Sequence, residues 1–255
     1  MAIHPQAGPL SAPARPDLTG GRRIGVLLSH GFTGSPASIK PWGEALAARG
    51  YAVEVPRLPG HGTTWREMNT TSWSDWYAAV GRALDKLVAE NDQVVVGGLS
   101  MGGALALQLA ADRPGDVSGL ILVNAAVTST NKQLLAVPLL KHAIAGMPGI
   151  GNDIKKAGVD EYGYDKTPLK ALHTMTRAWK SLRTALPRVT APILLFRSSV
   201  DHVVDPSSAV LIARTVSSRD ITERILEDSY HVATLDNDAP LIFEESAQFI
   251  ERVTG

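Results

Sequence analysis

From Ile24 onward, short apolar or β-branched runs alternate with amphipathic stretches of ten or more residues. This rhythm predicts a mostly parallel sheet with helices on both faces. Ile24 to Ser29 lacks the alternation of a half-exposed strand, as a strand buried on both faces should. Further strands are predicted at Tyr51 to Val55, Gln93 to Gly97, Leu120 to Asn124, Pro192 to Arg197 and Ile221 to Leu226. Ser35 and Pro36 read as the N-cap and first position of a helix running to about Arg49 and closed by Gly50. Ser72 and Asp75 have capping-box spacing, and Trp73, Trp76, Tyr77, Val80, Leu84, Leu87 and Val88 then recur at helical intervals, which predicts core. A helix over Ala104 to Ala111 and a closing helix over Asp238 to Val253 complete the pattern.

The rhythm stops in two places. Between Ala125 and about Val189 apolar residues such as Leu134, Leu139 and Ile144 crowd together, broken by Pro138, Gly146, Pro148 and Gly149. An apolar yet interrupted insertion of this kind, about 126–189, predicts a cap over a site. Residues 1–23 carry Pro5, Pro9, Pro13 and Pro16 without the apolar core of a signal peptide, and read as a flexible leader to a single domain over 24–255.

Composition narrows the function. The 255 residues include 25 Lys plus Arg against 25 Asp plus Glu, so the net charge is zero and the electrostatic footprint of a nucleic-acid binder is missing. With 44% hydrophobic and 20% charged residues the chain is neither disordered nor membrane-spanning by composition. The absence of Cys excludes disulfides, thiolate zinc sites and a thiol nucleophile, and fits a reducing, cytoplasmic setting. No cofactor or metal is called for, and a small neutral partner is expected.

The sharpest chemical signal is Gly98-Leu99-Ser100-Met101-Gly102, a G-x-S-x-G elbow set between a predicted strand and a predicted helix. Glycines flank Ser100 because the turn is too tight for side chains there. A serine hydroxyl needs a base, and in the order nucleophile, acid, base that residue lies near the C-terminus, where His231 follows the last strand. The acid must orient the imidazole; candidates are Asp201, Asp205 and Asp228. Asp205 precedes Pro206 and a helix, as a capping residue would, so Asp201 is selected. His202 is a local rival for the base, but beside the acid it cannot readily turn to the same serine. Oxyanion donors are expected from the backbone amides of Met101 and of Phe32 in His30-Gly31-Phe32-Thr33-Gly34. His30 itself reads as structural.

Taken together, these segments resemble the α/β-hydrolase superfamily, and more narrowly the small bacterial carboxylesterases and monoacylglycerol lipases. The likeness rests on His30-Gly31-Phe32-Thr33-Gly34, Gly60-His61-Gly62-Thr63, the Ser100 elbow, Asp201-His202-Val203-Val204 and Ser229-Tyr230-His231-Val232-Ala233-Thr234-Leu235-Asp236. It implies the α/β-hydrolase fold, a Ser100–Asp201–His231 triad, oxyanion amides at Phe32 and Met101, and cleavage of a monoacylglycerol through an acyl-enzyme. It also implies a cap with a narrow apolar tunnel, Glu161 as a glycerol-binding carboxylate and Ile150 at the neck. The alternative for Glu161 is a solvated charge. A broad short-chain carboxylesterase or thioesterase is the rival activity, and a non-catalytic binder of hydrophobic ligands the rival class. The apolar cap also suggests transient contact with lipid aggregates or a second subunit.

Overall fold

The computed structural model describes residues 3–255. Its strands are β1 (Leu10–Ala12), β2 (Ile24–Ser29), β3 (Ala52–Val55), β4 (Gln93–Leu99), β5 (Gly119–Val123), β6 (Gly146–Pro148), β7 (Lys166–Pro168), β8 (Ile193–Ser198) and β9 (Ile221–Leu226). Its helices are α1 (Lys40–Ala48), α2 (Trp65–Met68), α3 (Trp73–Glu90), α4 (Met101–Asp112), α5 (Val137–Ala143), α6 (Leu169–Ala185), α7 (Ser207–Thr215) and α8 (Ala239–Thr254). Seven strands form one sheet in the order β1-β3-β2-β4-β5-β8-β9. All neighbours run parallel except β1 against β3.

The two-residue period of the strands sorts their side chains between two cores. Val26, Leu28, Ile121, Val123, Leu194 and Phe196 pack on one face with Trp42 of α1 and Ile250 of α8. Leu27, Leu120, Leu122, Ile193 and Leu195 pack on the other with residues of α3, α4 and α6. Both faces are therefore covered, which is why β2 and β5 carry no polar alternation. Removing one such side chain down to Ala costs ~2–5 kcal/mol, more than loss of any surface contact. At the start of α3 Asp75 accepts the Ser72 N–H at 2.9 Å, and Trp76 is fully buried with its indole N–H on the Pro59 carbonyl.

Three expectations need correction. The proline-rich N-terminal segment is not frayed over its described residues. The free edge of β3 offers partners to β1, with Leu10 opposite Val55 and Ala12 opposite Val53, and Ala7 is fully buried. Proline is compatible with such an edge because it needs no second partner. The helix expected from Pro36 begins instead as a single tight turn, Pro36–Ser38, capped by the Ser35 hydroxyl, before α1 starts at Lys40. The stretch between β5 and β8 is not free of strands, since β6 and β7 pair antiparallel between α5 and α6. Among the described residues no helix is long and apolar enough to cross a membrane.

The parallel strands point their carboxyl ends one way. The loops after β2, β4, β5, β8 and β9 therefore converge on one rim of the sheet, where open α/β folds place ligands.

Candidate active site

Strand β4 runs two residues further than its apolar pattern suggested and delivers Ser100 to this rim. Ser100 takes φ 56° and ψ −116°, a conformation that side chains other than glycine rarely adopt and that costs ~1–3 kcal/mol. Three backbone bonds hold it there: its N–H donates to Val123, and its carbonyl accepts from Ala104 and Ala126. The flanking glycines are sterically required. A Cβ on Gly102 would lie 1.9 Å from the Ser29 oxygen, and one on Gly98 2.3 Å from the Gly102 carbonyl carbon. As the first residue of α4, Met101 has an N–H without an intrahelical acceptor, and the helix dipole adds positive potential beside it.

The loops after β8 and β9 bring Asp201 and His231 together. His231 Nδ1 and Asp201 Oδ2 lie 2.8 Å apart, and the Asp201 side chain is 6% exposed. The other Asp201 oxygen accepts the Val203 and Val204 N–H groups at 2.8 Å each. Burial alone would make the Asp201 anion costlier, but its bonds to His231 and these amides outweigh that and hold its pKa below the ordinary aspartate range. Burial likewise opposes an imidazolium at His231. The Asp201 bond and charge, reinforced by Glu161 and Asp153, overcome it and raise the His231 pKa. The rival acids are elsewhere engaged: Asp205 accepts from Ser207 N and Thr130 N, and Asp228 pairs with Lys155. His202 is turned to Asp153, not to Ser100.

After β2, the loop with Phe32 folds against the elbow, and a Cβ on Gly31 would meet the Ser100 Cβ at 3.4 Å. Thr33 takes φ 64°, while the Phe32 ring packs edge-on to Trp76. His30 lies beneath, fully buried, accepting the Leu58 N–H at Nε2 with Nδ1 on the Gly31 oxygen. Desolvation, partly offset by that Gly31 bond, takes its pKa down to about 4, as suits a neutral brace.

Ser100, Phe32, Asp201 and His231 open on one cavity of about 760 Å³. Leu140, Leu172, Met175 and Trp179, all from α5 and α6, give it an apolar wall. Glu161 and Asp153 also line it. Glu161 is neither helical nor simply solvated. Its Oε1 accepts the Asn152 N–H at 2.8 Å, its own N–H returns a bond to Asn152 Oδ1, and burial raises its pKa despite the Asn152 bond. Ile150 lines the same cavity while remaining 62% exposed, the position of a residue at a mouth. Among the described residues no group of His, Asp and Glu is arranged to hold a metal ion.

Three polar residues of this rim escaped the motif reading. Asn124, at φ 46° after β5, accepts the Ser198 N–H at 2.8 Å and donates to the His231 carbonyl at 2.8 Å, tying the end of β8 to the loop that carries His231. Asp236, 1% exposed, accepts from the backbone of Tyr230, Lys155 and Lys156. A polar residue ending a buried strand was the available signal for Asn124, and the last position of the quoted Ser229-to-Asp236 segment was the signal for Asp236. No local spacing singled out Asp153, because its partners are distant in sequence.

The chain is similar to several known proteins. The family model described as serine aminopeptidase, S33, matches residues 21–238. A thermostable monoacylglycerol lipase of Bacillus sp. (strain H-257) is 39% identical over 97% of this chain and 98% of its own length. A carboxylesterase of Bacillus subtilis (strain 168) is 27% identical over 89% and 92%. Among solved structures, one reported with LipS and LipT, two metagenome-derived lipolytic enzymes, superposes with a TM-score of 0.93 at 42% identity, covering 98% of this chain and 100% of that one.

Proposed function

Because the chain belongs to the serine aminopeptidase S33 family of α/β-hydrolases, we propose that it is a serine-dependent carboxylic ester hydrolase whose preferred substrate is a monoacylglycerol. The observation that carries this reading is the buried Asp201–His231 pair opening, with Ser100, on a cavity walled by apolar residues of α5 and α6.

In the proposed reaction His231 takes the Ser100 proton as Oγ attacks the ester carbonyl. Catalytic hydrogen bonds of this kind commonly tighten only with substrate in place. The tetrahedral oxyanion is held by the Phe32 and Met101 N–H groups, each worth ~2.7–4 kcal/mol in comparable sites. His231 then protonates the departing alcohol, and water repeats the sequence to release the acid. Asp201 stays ionised throughout, which its lowered pKa favours, and stabilises the imidazolium. The acyl chain runs along Leu140, Leu172 and Met175, under a cap formed by about 126–189. Glu161 faces the glycerol head with its second carboxylate oxygen, which a Cβ on Gly34 would approach to 3.4 Å, and Ile150 borders the entrance.

The 39% identity to a monoacylglycerol lipase supports the glycerol ester over simpler ones, while the carboxylesterase relative keeps a broader ester range as the second reading. A cytoplasmic setting is part of this proposal, and the cysteine-free composition is compatible with it. Leu135 and Leu139, 80% and 79% exposed on the insertion, are the surface through which it would touch lipid aggregates.

The test is hydrolysis of a monoacylglycerol, the matching methyl ester, and di- and triacylglycerols by the wild type and Ser100→Ala. The variant should fall to background on every ester, and the wild type should favour the monoacyl form. Ester turnover retained by Ser100→Ala would sink the nucleophile, and equal rates on all alcohols would favour the broad esterase.

A further inference from the structure

Asp153 lies in the segment between β5 and β8, far in sequence from both loops that carry Asp201 and His231. Its side chain is 10% exposed, and both oxygens are spent on those loops. One accepts the His202 N–H and the His231 N–H, each at 3.2 Å. The other meets His202 Nδ1 at 2.8 Å. The Asp153 carbonyl in addition accepts the Val232 N–H at 3.1 Å. The carboxylate thus grips the residue next to the acid and the base itself.

A second carboxylate fastens the same junction from the other side. Asp236, in the loop that carries His231, accepts from the N–H groups of Lys155 and Lys156, two and three residues after Asp153 in the chain. The His202 ring then packs edge-on to Tyr230 at 4.8 Å, so acid loop and base loop also touch through side chains. Backbone N–H groups have one donor each, and the position of a ring follows from the position of its own backbone. An anion bridging the N–H groups of His202 and His231 therefore fixes the distance between Asp201 and the imidazole.

We propose that Asp153 is a positioning residue which couples the inserted segment to the catalytic pair, so that the His231–Asp201 geometry is completed by the segment that covers the site. The proposal rests on His231 being the base. Asp153 does not touch the reacting atoms; it holds the ring that does. Three carboxylates face His231: Asp201 from the loop after β8, and Glu161 and Asp153 from the inserted segment. Each favours the imidazolium, so neutralising Asp153 lowers the pH at which the ring loses its proton.

The experiment compares Asp153→Ala and Asp153→Asn with wild type in kcat, KM and pH profile, on the methyl and glyceryl esters of one fatty acid. Asp153→Ala should lower kcat ~10- to 100-fold with little change in KM, the size of loss expected from misplaced catalytic groups. The loss should be equal for both esters, because the residue acts on the base and not on the alcohol. Asp153→Asn keeps an oxygen for the two N–H groups and should recover most of kcat, with the acid limb of its profile moved to lower pH. If Asp153→Ala does not fold, the Asn variant decides through that limb. A loss confined to the glyceryl ester would make Asp153 a substrate contact and overturn the proposal. So would full activity in Asp153→Ala, or an unmoved limb in Asp153→Asn. His231→Ala is assayed in parallel: if it keeps turnover, the base assignment fails instead.

Discussion

Asp201 and Asp205 lie in one loop, and sequence alone separated them only by the proline that follows the second. Their bonds now make opposite predictions. In Asp201→Asn the partner of His231 becomes an amide that stabilises the wrong tautomer, and kcat should fall ~10⁴-fold, as it does when other triad acids are so changed. Asp205→Asn keeps an oxygen for only one of the Thr130 and Ser207 N–H groups, which the two carboxylate oxygens accept separately, and should keep kcat within a few-fold while losing ~1–3 kcal/mol of stability. Steady-state kinetics of the two purified variants distinguishes them, and the reverse order would reassign the acid. The same residues set the pH response. His231 must be neutral to accept the serine proton, and its pKa is raised, so kcat/KM should fall away on the acid side with a midpoint above the ordinary histidine value of about 6.5. A midpoint at or below that value would contradict the reading of its surroundings. At this scale the meeting of Ser100, His231 and Asp201 on one cavity was legible because side chains of this kind follow a fixed order along the chain. Asn124 and Asp153 were not, since each acts through backbone groups about 70–110 positions or about 50–80 positions away, and no local spacing encodes a partner at that separation.

Among the elements, the buried parallel strands were the most legible, because continuous apolar runs have few other stable uses. Helix α3 was equally clear, its cap and its core stripe agreeing. The inserted segment was the least legible: prolines and glycines break its periodicity, and the β6–β7 pair has only three residues per strand, too short for a pattern to emerge. Yet its geometry supports the role proposed for it over the cavity. Helix α6 turns Leu172 and Met175 toward the cavity and buries Leu182 and Ala185 beneath. Leu172→Trp should therefore fill part of the cavity and move the preferred acyl length downward, leaving short-chain kcat/KM within a few-fold. A chain-length series of glyceryl esters checks this; an unchanged optimum would mean that the acyl chain takes another path.

For the whole molecule, β1 is the element most at odds with its sequence. Prolines and polar residues around it suggested fraying, but a three-residue strand needs only a neighbour with free backbone groups, and β3 supplies one. Deleting residues 3–14 should expose that edge, lower the unfolding temperature by several degrees (~1–2 kcal/mol of lost contacts for a chain of this size) and promote association. Thermal melts and light scattering measure both effects. If neither changes, β1 is ornamental.

Strands β5 and β8 are immediate neighbours in the sheet, so the segment between them departs and returns one strand apart. Such a segment can be exchanged between homologues as a cassette without rewiring the scaffold, and recombination can sample new acyl preferences on an unchanged elbow. On the proposal above, the exchange has one grammatical rule: the incoming piece must carry an acceptor oxygen where Asp153 stands, or the borrowed pocket arrives with a poorly placed base.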